Sequence, residues 1–213
     1  MLVMIMDTGL TAYEDAVGLQ KEFVRKRRLG EIRDSLLIAE HKNVFTIGRS
    51  SVRNNLLIGE DALNRSGISV VRSDRGGDIT FHGPGQIIIY PIIDLKKRAM
   101  DLHRYLRDLE DVAIGFLNSF FIPSGRWEGR TGVWTSGKKI AFIGIAASNW
   151  ITYHGLSINV NCDLGSFSMM NPCGMTDIEV TSMKQVLGND ISIERAKAGI
   201  ISNFERIFGP IAE

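Results

Sequence analysis

Three strand-like segments follow one another closely in the second half of the chain, at 132–135, 139–147 and 151–160. The intervening Ser136-Gly137-Lys138 is typical of a tight hairpin turn. Strands joined so closely pair antiparallel, because a parallel pair needs a crossover of a dozen residues or more. The sequence therefore predicts antiparallel strands and argues against the regular strand–helix alternation of a doubly wound fold.

Helices and further strands surround this run. An apolar stripe of period 3.6 predicts a helix from Asp101, a good N-cap residue, to about Phe121. Thr11 and Glu14 predict a capping box that opens a helix ending at about Arg27. Further helices are predicted at 59–65, near 181–187 and from 192 to about 208. Further strands are predicted at 2–6, at 35–40 with 44–47 as its continuation, at 68–72, at 78–82, and at 86–94, where Pro91 marks an edge or an end.

Composition narrows the class of protein. The 213 residues fit a single domain, 1–213, with the part after about 176 as the one candidate for a small helical appendage. With 25 basic and 24 acidic side chains there is no general electrostatic case for a nucleic-acid partner. The apolar opening stops at Asp7, too short for a membrane span or a signal peptide. Two cysteines without a zinc-type pair indicate a reducing, cytoplasmic location.

The segment from Arg75 to Gln86 does not read as ordinary core. It places four glycines, a proline and several polar side chains between two apolar strands. Glycines weaken a strand unless the backbone turns sharply or something approaches it closely. Two interpretations are open: a glycine-rich hairpin, or a loop whose bare backbone lines a ligand pocket. Neither the P-loop nor the dinucleotide pattern is present.

This segment, read as R-G-G-x-x-T-F-H-G-P-G-Q-x-x-x-Y from Arg75 to Tyr90, resembles the signature of the lipoyl (octanoyl) transferases. Further blocks agree in order: Glu40-His41 with 45–48, then 137–144, 154–161 and 171–174. The family shares its fold with lipoate and biotin protein ligases. The resemblance therefore implies an α+β (mixed α/β) fold with a central mixed, largely antiparallel sheet flanked by helices.

Cys173 and Lys139 are the candidate catalytic pair. A cysteine in a Pro-Cys-Gly turn has neighbours that favour exposure, and a thiol becomes a good nucleophile only when ionised, which a nearby ammonium favours. From the residues alone, the favoured interpretations are a structural cysteine at Cys173 and a solvated turn residue at Lys139. The resemblance assigns both to catalysis, whereas Cys162 lacks the turn context and reads as packing.

The resemblance implies a two-step acyl transfer. The Cys173 thiolate takes an octanoyl group from the thioester of acyl carrier protein. The acyl group then passes to a lysine of a lipoyl domain, as found in 2-oxoacid dehydrogenase subunits or the glycine cleavage H protein. Lys139 would stabilise the thiolate and, once neutral, act as a base. Thioester aminolysis is downhill, so no ATP, other cofactor or metal is expected.

The acyl pocket that the resemblance implies is formed by three segments, 75–82, 142–144 and 155–157. Its residues are Arg75, Gly76, Gly77, Asp78, Ile79, Thr80, Phe81, His82, Phe142, Ile143, Gly144, Gly155, Leu156 and Ser157. Backbone N–H groups of 76–77 or Gly144 are candidate oxyanion donors. The motif histidines His82 and His154 are expected to shape the site rather than transfer protons.

Several alternatives stay open. An ATP-dependent lipoate or biotin ligase would share the fold, but its three-glycine block followed by His-Asp, or its arginine-rich loop, does not occur here. A non-catalytic protein that binds acyl carrier protein would share the pocket. The basic runs 25–28 and 96–98 are either solvated surface or a landing patch for the acidic carrier.

Overall fold

The structure is a computed structural model that describes residues 3–51 and 55–210. Its strands and helices follow in the order β1 (Met4–Thr11), α1 (Tyr13–Leu29), β2 (Ser35–His41), β3 (Val44–Ile47), α2 (Glu60–Ser66), β4 (Ser69–Arg72), β5 (Ile79–His82), β6 (Gln86–Ile92), α3 (Leu102–Ser119), β7 (Gly125–Trp127), β8 (Arg130–Thr135), β9 (Lys138–Ser148), β10 (Ile151–Asn159), α4 (Met183–Leu187) and α5 (Ile193–Phe208). Short 3-10 turns lie at Leu95–Lys97, Gly165–Met169 and Pro172–Gly174.

Two sheets organise the fold. The larger has seven strands in the order β1-β2-β6-β10-β9-β8-β7, and the smaller has three in the order β4-β3-β5. The pairs β1–β2 and β3–β4 are parallel, and the other pairs are antiparallel. The predicted fold class, a mixed and largely antiparallel sheet flanked by helices, is confirmed.

Three apolar clusters hold these layers together. On one face of the large sheet, α3 and α5 pack over the apolar side chains of β2, β6, β9 and β10. On the other face, α1 covers β2 and β6. Beside α1, the small sheet and the 3-10 turn at Gly165–Met169 close over Phe142 of β9. The predicted acyl-binding segments meet along this junction of the two sheets.

The helices and turns that were predicted from residues close together in the chain are confirmed. Asp101 caps α3, since its carboxylate accepts the backbone N–H groups of His103 and Arg104. The hairpin between β8 and β9 turns at Ser136 and Gly137, both with positive φ (48° and 78°), as a two-residue type I′ turn requires. The helices predicted at 59–65, 181–187 and 192–208 are also present, with bounds shifted by a residue or two.

Three expectations are corrected, and one pair of alternatives is decided. Thr11 is the last residue of β1, paired with His41, so it does not cap α1, whose N-cap residue Ala12 makes no side-chain bond. The strand predicted at 2–6 extends to Thr11, and residue 2 lies outside the described residues. The 44–47 segment joins the small sheet instead of continuing β2. Of the two alternatives predicted for Pro91, an edge or an end, the structure has the end, since Pro91 is the next-to-last residue of the interior strand β6.

The segment after 176 is not an appendage. Its helix α5 packs against α3 and contributes Ile200 and Phe204, both almost fully buried, to the main apolar cluster. No helix in the described residues is long and apolar enough to span a bilayer.

Candidate active site

Cys173 lies in the 3-10 turn Pro172–Gly174 with a left-handed backbone (φ 57°, ψ 23°). This region is uncommon for residues other than glycine and typically costs 1–3 kcal/mol, roughly. The half-buried Sγ lies 3.3 Å from Nζ of Lys139. The structure thus brings the two predicted residues together from positions 34 apart in the chain.

Backbone pairing places the cysteine turn against β9. The amide of Lys139 donates to the carbonyl of Glu179 (2.8 Å), and the amide of Thr181 donates back to the carbonyl of Lys139 (2.9 Å). These two bonds form a short parallel bridge between β9 and the segment that follows Cys173. The sulfur and the ammonium are therefore held by a backbone interaction as well as by their own contact.

The side chain of Lys139 is buried, and its contacts define its surroundings. The residue is 1% exposed, and Nζ donates to the carbonyl of Thr131 at 3.0 Å as well as contacting Sγ. Nζ also lies 5.0 Å and 4.8 Å from the ring centroids of Trp134 and Phe142. Ring faces and one carbonyl stabilise a cation only partly.

The glycine-rich segment lies on β9, the strand that carries Lys139. The amide of Gly76 donates to the carbonyl of Ile145 at 2.8 Å. A Cβ at Gly144 would lie only 2.9 Å from the carbonyl oxygen of Gly76, so the close approach requires glycine there. Gly144 and Gly155 are register partners in β9 and β10. Because the Gly76 N–H is already engaged, it does not serve as the expected oxyanion donor.

Arg75 anchors this segment from inside the protein. Its guanidinium donates to the carbonyl and hydroxyl of Thr46 on β3 and to the carbonyl of Gly76. The side chain is buried, and burial lowers its pKa. Arg75 therefore ties the loop to the small sheet.

A cavity of about 20 Å³ lies where the loop crosses the two strands. Seven of the predicted acyl-pocket residues line it: Arg75, Thr80, His82, Gly144, Gly155, Leu156 and Ser157. The space holds roughly one water molecule.

The other predicted pocket residues do not line this cavity. Ile79, Phe81 and Phe142 belong to the apolar cluster under the small sheet, and Phe142 stacks on Phe167 at 5.4 Å. The carboxylate of Asp78 accepts the side-chain amide of Asn55 (2.6 Å) and lies against Gly174, next to Cys173. Ile143 packs instead toward α3 and α5 on the opposite face.

An aromatic and histidine cluster forms the deep end of the site. The ring of Tyr13 stacks on His82 and His154 at 6.0 and 6.5 Å. His41 Nε2 lies 2.6 Å from the hydroxyl of Tyr90. Burial lowers the pKa of His41 to about 4 and that of His82 to about 3, so both rings are neutral near pH 7.

His154 occupies a special position in β10. Its φ is 56°, its amide donates to Oε1 of Gln20, and its Nε2 lies 2.8 Å from Asp74. Burial lowers its pKa although Asp74 acts in the opposite direction. Within the described residues, Nδ1 of His154 and the hydroxyl of Thr80 are buried without a hydrogen-bond partner. These two atoms are free to bind a polar group in the cavity.

Sequence reasoning missed Tyr13, Ile88 and Tyr90 as cavity residues. Tyr90 stands at the end of the motif, but nothing local indicates that its hydroxyl reaches His41. Tyr13 lies on α1, far along the chain from the motif. In the part of the chain the structure describes, no group of three or more His, Cys, Asp or Glu could hold a metal ion.

The architecture defines the class of protein first. The bipartite lipoate protein ligase of Thermoplasma acidophilum superposes with a TM-score of 0.76 over 100% of this chain and 85% of that one, at 16% identity. A biotin protein ligase of Aquifex aeolicus superposes with a TM-score of 0.54 over 96% of this chain and 69% of that one, at 14% identity. At such identities the likeness shows the fold alone. The fold is that of the lipoate and biotin protein ligases.

Sequence relatives define the family. Residues 12–205 match the family described as lipoyl protein ligase A/B catalytic domain. An octanoyltransferase of Rubrobacter xylanophilus is 48% identical over 94% of this chain and 91% of its own length. An octanoyltransferase of Geobacter metallireducens is 40% identical over 95% of this chain and 92% of its own length. The chain therefore belongs to the lipoyl (octanoyl) transferase family.

Proposed function

We propose that this chain is an octanoyltransferase of protein lipoylation, acting as one catalytic domain over 1–213 with Cys173 as the nucleophile. The observation that carries the mechanism is the 3.3 Å contact between Lys139 Nζ and Cys173 Sγ. The overall reaction is supported by octanoyltransferases that align over almost the whole chain. The donor would be octanoyl acyl carrier protein and the acceptor a lipoyl-domain lysine.

In the first step the Cys173 thiolate attacks the thioester carbonyl of the donor. A carbon–sulfur bond forms to Cys173 and the bond to the carrier sulfur breaks. The Lys139 ammonium gives its proton to the departing carrier thiolate, so the step ends with a neutral amine beside an acyl-enzyme thioester. The aromatic walls around Lys139 suit this step, because ring faces hold the ammonium less strongly than a carboxylate would and so let it release a proton.

In the second step the acceptor amine attacks the acyl-enzyme. The new carbon–nitrogen bond replaces the bond to Cys173, and the proton lost by the attacking nitrogen passes to neutral Lys139. The site thus returns to its ammonium–thiolate state. No nucleotide enters, since the energy of the amide bond comes from the thioester.

The acyl chain would lie between the loop that contains Arg75 and the strands β9 and β10. Phe142 and Ile79 belong to the apolar cluster against which Cys173 packs, and they would supply the apolar contacts of the acyl chain. The neutral cluster of Tyr13, His82 and His154 would close the far end. A longer chain would have to displace these hydrogen-bonded side chains.

Not all residues of the basic run 25–28 are available to contact the acyl carrier protein. Arg27 is buried and paired with Asp34 at 2.7 Å, so it supports the fold. Arg25 and Lys26 each pair with an acidic side chain on the surface. A docking role would rest on the exposed members of this run or on 96–98.

The decisive experiment incubates the protein with octanoyl acyl carrier protein and a lipoyl domain, without ATP. We expect the domain to gain an octanoyl mass, and the enzyme alone to gain the same mass on Cys173 under denaturing mass spectrometry. Cys173→Ala should abolish both signals, because it removes the sulfur that forms the proposed thioester.

Cys162→Ala is the matched control. Burial raises the pKa of Cys162 to about 12, so its thiol is not reactive, and its removal should leave transfer intact. Transfer that needs ATP would instead support a ligase. Binding of the donor without an acyl-enzyme would support a non-catalytic carrier-binding protein, and transfer by Cys173→Ala would refute the nucleophile.

A further inference from the structure

Glu110 is a fully buried carboxylate on α3. Its Oε2 accepts Nη1 of Arg107 at 2.6 Å and Nε of Arg126 at 2.7 Å. Its Oε1 accepts the backbone N–H of Gly132, on β8, at 3.0 Å. The two arginines balance the buried charge, as such a charge requires. The hydrogen bond from Gly132 on β8 is not needed to neutralise the charge of Glu110, so it calls for a separate explanation.

The peptide group that Glu110 contacts is the one that holds Lys139. The N–H of Gly132 and the carbonyl of Thr131 belong to a single peptide unit. The N–H donates to Glu110, and the carbonyl accepts Nζ of Lys139 at 3.0 Å. A continuous line of hydrogen bonds therefore runs from Glu110 through one peptide group to Lys139 and then to Cys173.

We propose that Glu110 is a positioning residue that orients the Thr131–Gly132 peptide group so that its carbonyl holds the Lys139 ammonium against Cys173. A trans peptide is planar, with its N–H and carbonyl pointing in opposite directions. Fixing the N–H toward Glu110 therefore fixes the carbonyl toward Lys139.

The same arrangement has an electronic effect. A carboxylate that accepts the N–H polarises the peptide and makes its carbonyl a stronger acceptor, because linked hydrogen bonds reinforce one another. The stronger acceptor favours the charged form of Lys139. The charged form in turn favours the Cys173 thiolate.

The backbone at Gly132 independently shows that this peptide group packs closely against Lys139. Its φ of 130° suits glycine, and a Cβ there would lie 2.7 Å from Cε of Lys139 and 2.6 Å from the carbonyl oxygen of Ala141. Only a residue without a side chain lets β8 approach the lysine this closely. The approach places the Thr131 carbonyl within reach of Nζ.

The role in catalysis rests on the proposed function, but its test does not. The pH dependence of Cys173 alkylation by iodoacetamide reports thiolate formation in the folded enzyme without any acyl substrate. In Glu110→Gln we expect the midpoint of this curve to rise by about one pH unit, the scale of one hydrogen bond to a charged group. Single-turnover octanoylation near pH 7 should slow by about tenfold, with KM for the donor unchanged.

Other charged groups around the pair remain in every variant. These are Arg75 and Asp78 from the glycine-rich segment, and the ion pairs Arg130–Asp177 and Lys138–Glu179 from β8, β9 and the segment after Cys173. They contribute a constant background. A shift between variants therefore reports on Glu110.

Arg126→Gln is the matched control. It removes a charged partner from the opposite oxygen of Glu110 but leaves the bond to Gly132, so it should lower the melting temperature without raising the alkylation midpoint. If Glu110→Gln does not fold, Glu110→Asp gives the same reading with a smaller shift, because it keeps the charge one methylene further away.

Equal midpoints in wild type and a folded Glu110 variant would overturn the proposal, as would an equal rise in Arg126→Gln. The result is separable from the proposed function. A wild type that transfers no octanoyl group would refute that function, whereas the alkylation midpoints would still decide the role of Glu110.

Discussion

The reactive sulfur is presented by a single residue in an unusual backbone conformation. Cys173 is left-handed at φ 57°, and Gly174 follows it at φ 71°. Two consecutive residues in this region turn the chain sharply and expose Sγ toward β9. The strain is sustained by the surrounding bonds, notably the bridge between Lys139 and the segment near Val180.

Gly144 is the residue at which a single methyl group should matter most. Alanine there would place Cβ 2.9 Å from the carbonyl oxygen of Gly76 and 3.1 Å from Cδ of Arg75. The loop must shift, so we expect a stability loss of about 1–3 kcal/mol and a transfer rate lower by roughly ten- to a hundredfold. Urea unfolding and single-turnover octanoylation measure the two effects.

Gly18→Ala is the control with the same chemical change. Gly18 lies in α1 with nothing within 4 Å of its Cβ position, so alanine should stabilise the helix by up to about 1 kcal/mol. Its transfer rate should match wild type. If Gly144→Ala behaved like Gly18→Ala, the close packing of the loop on β9 would have no functional role.

At the scale of elements, α3 links the core to the site. Its apolar side chains fill the main cluster, while Glu110 reaches β8. The helix begins at Asp101, whose pKa is lowered by backbone hydrogen bonds from Arg104 and His103. The stability that this cap contributes is present above the ordinary aspartate pKa and is lost as pH falls through the lowered one.

Removing this cap should weaken the helix without altering the chemistry. Asp101→Ala leaves two backbone N–H groups at the start of α3 without an acceptor. We expect the melting temperature to fall by about 2–4 °C, with the pH midpoint of Cys173 alkylation unchanged. Calorimetry and alkylation test the two parts. A raised midpoint would mean that any loosening of α3 perturbs the site, which would weaken the specific role of Glu110.

At the scale of the whole molecule, buried neutral histidines make the fold sensitive to acid. The pKa of His41 is about 4 and that of His82 about 3 in the folded chain, both lowered by burial, against about 6.5 when unfolded. Between these values the unfolded chain binds more protons. Stability should therefore fall as pH drops from about 6.5 toward 4, by about 1.4 kcal/mol per pH unit for each histidine.

Urea unfolding at pH 7 and pH 5 measures this loss. His41→Gln should reduce the difference between the two pH values, because one of the two proton-linked groups is gone. His103→Gln is the control, since His103 is fully exposed on α3 and the difference should stay as in wild type. A wild-type stability that is the same at both pH values would contradict the prediction.

Much of this molecule is encoded locally. The apolar stripe and the Asp101 cap determine α3, the Ser136-Gly137 turn determines the β8–β9 hairpin, and the glycine-rich motif indicates both the family and the cavity segment. Each of these depends on residues near one another in the chain, where propensity and periodicity act directly. Thr11 shows the limit of such signals. A capping-box pattern was overridden because pairing with His41 in β1 satisfied the backbone instead.

Tertiary structure alone decided the rest. It placed 44–47 in a second sheet, packed α5 on α3, brought Tyr13 onto His82, and joined Glu110 through the Thr131–Gly132 peptide to Lys139. These contacts connect residues tens of positions apart. Such contacts depend on which layers pack and in which register, and no local pattern carries that information. The sequence by itself determined which groups are available for the chemistry, and the packing of two sheets determined which of them meet.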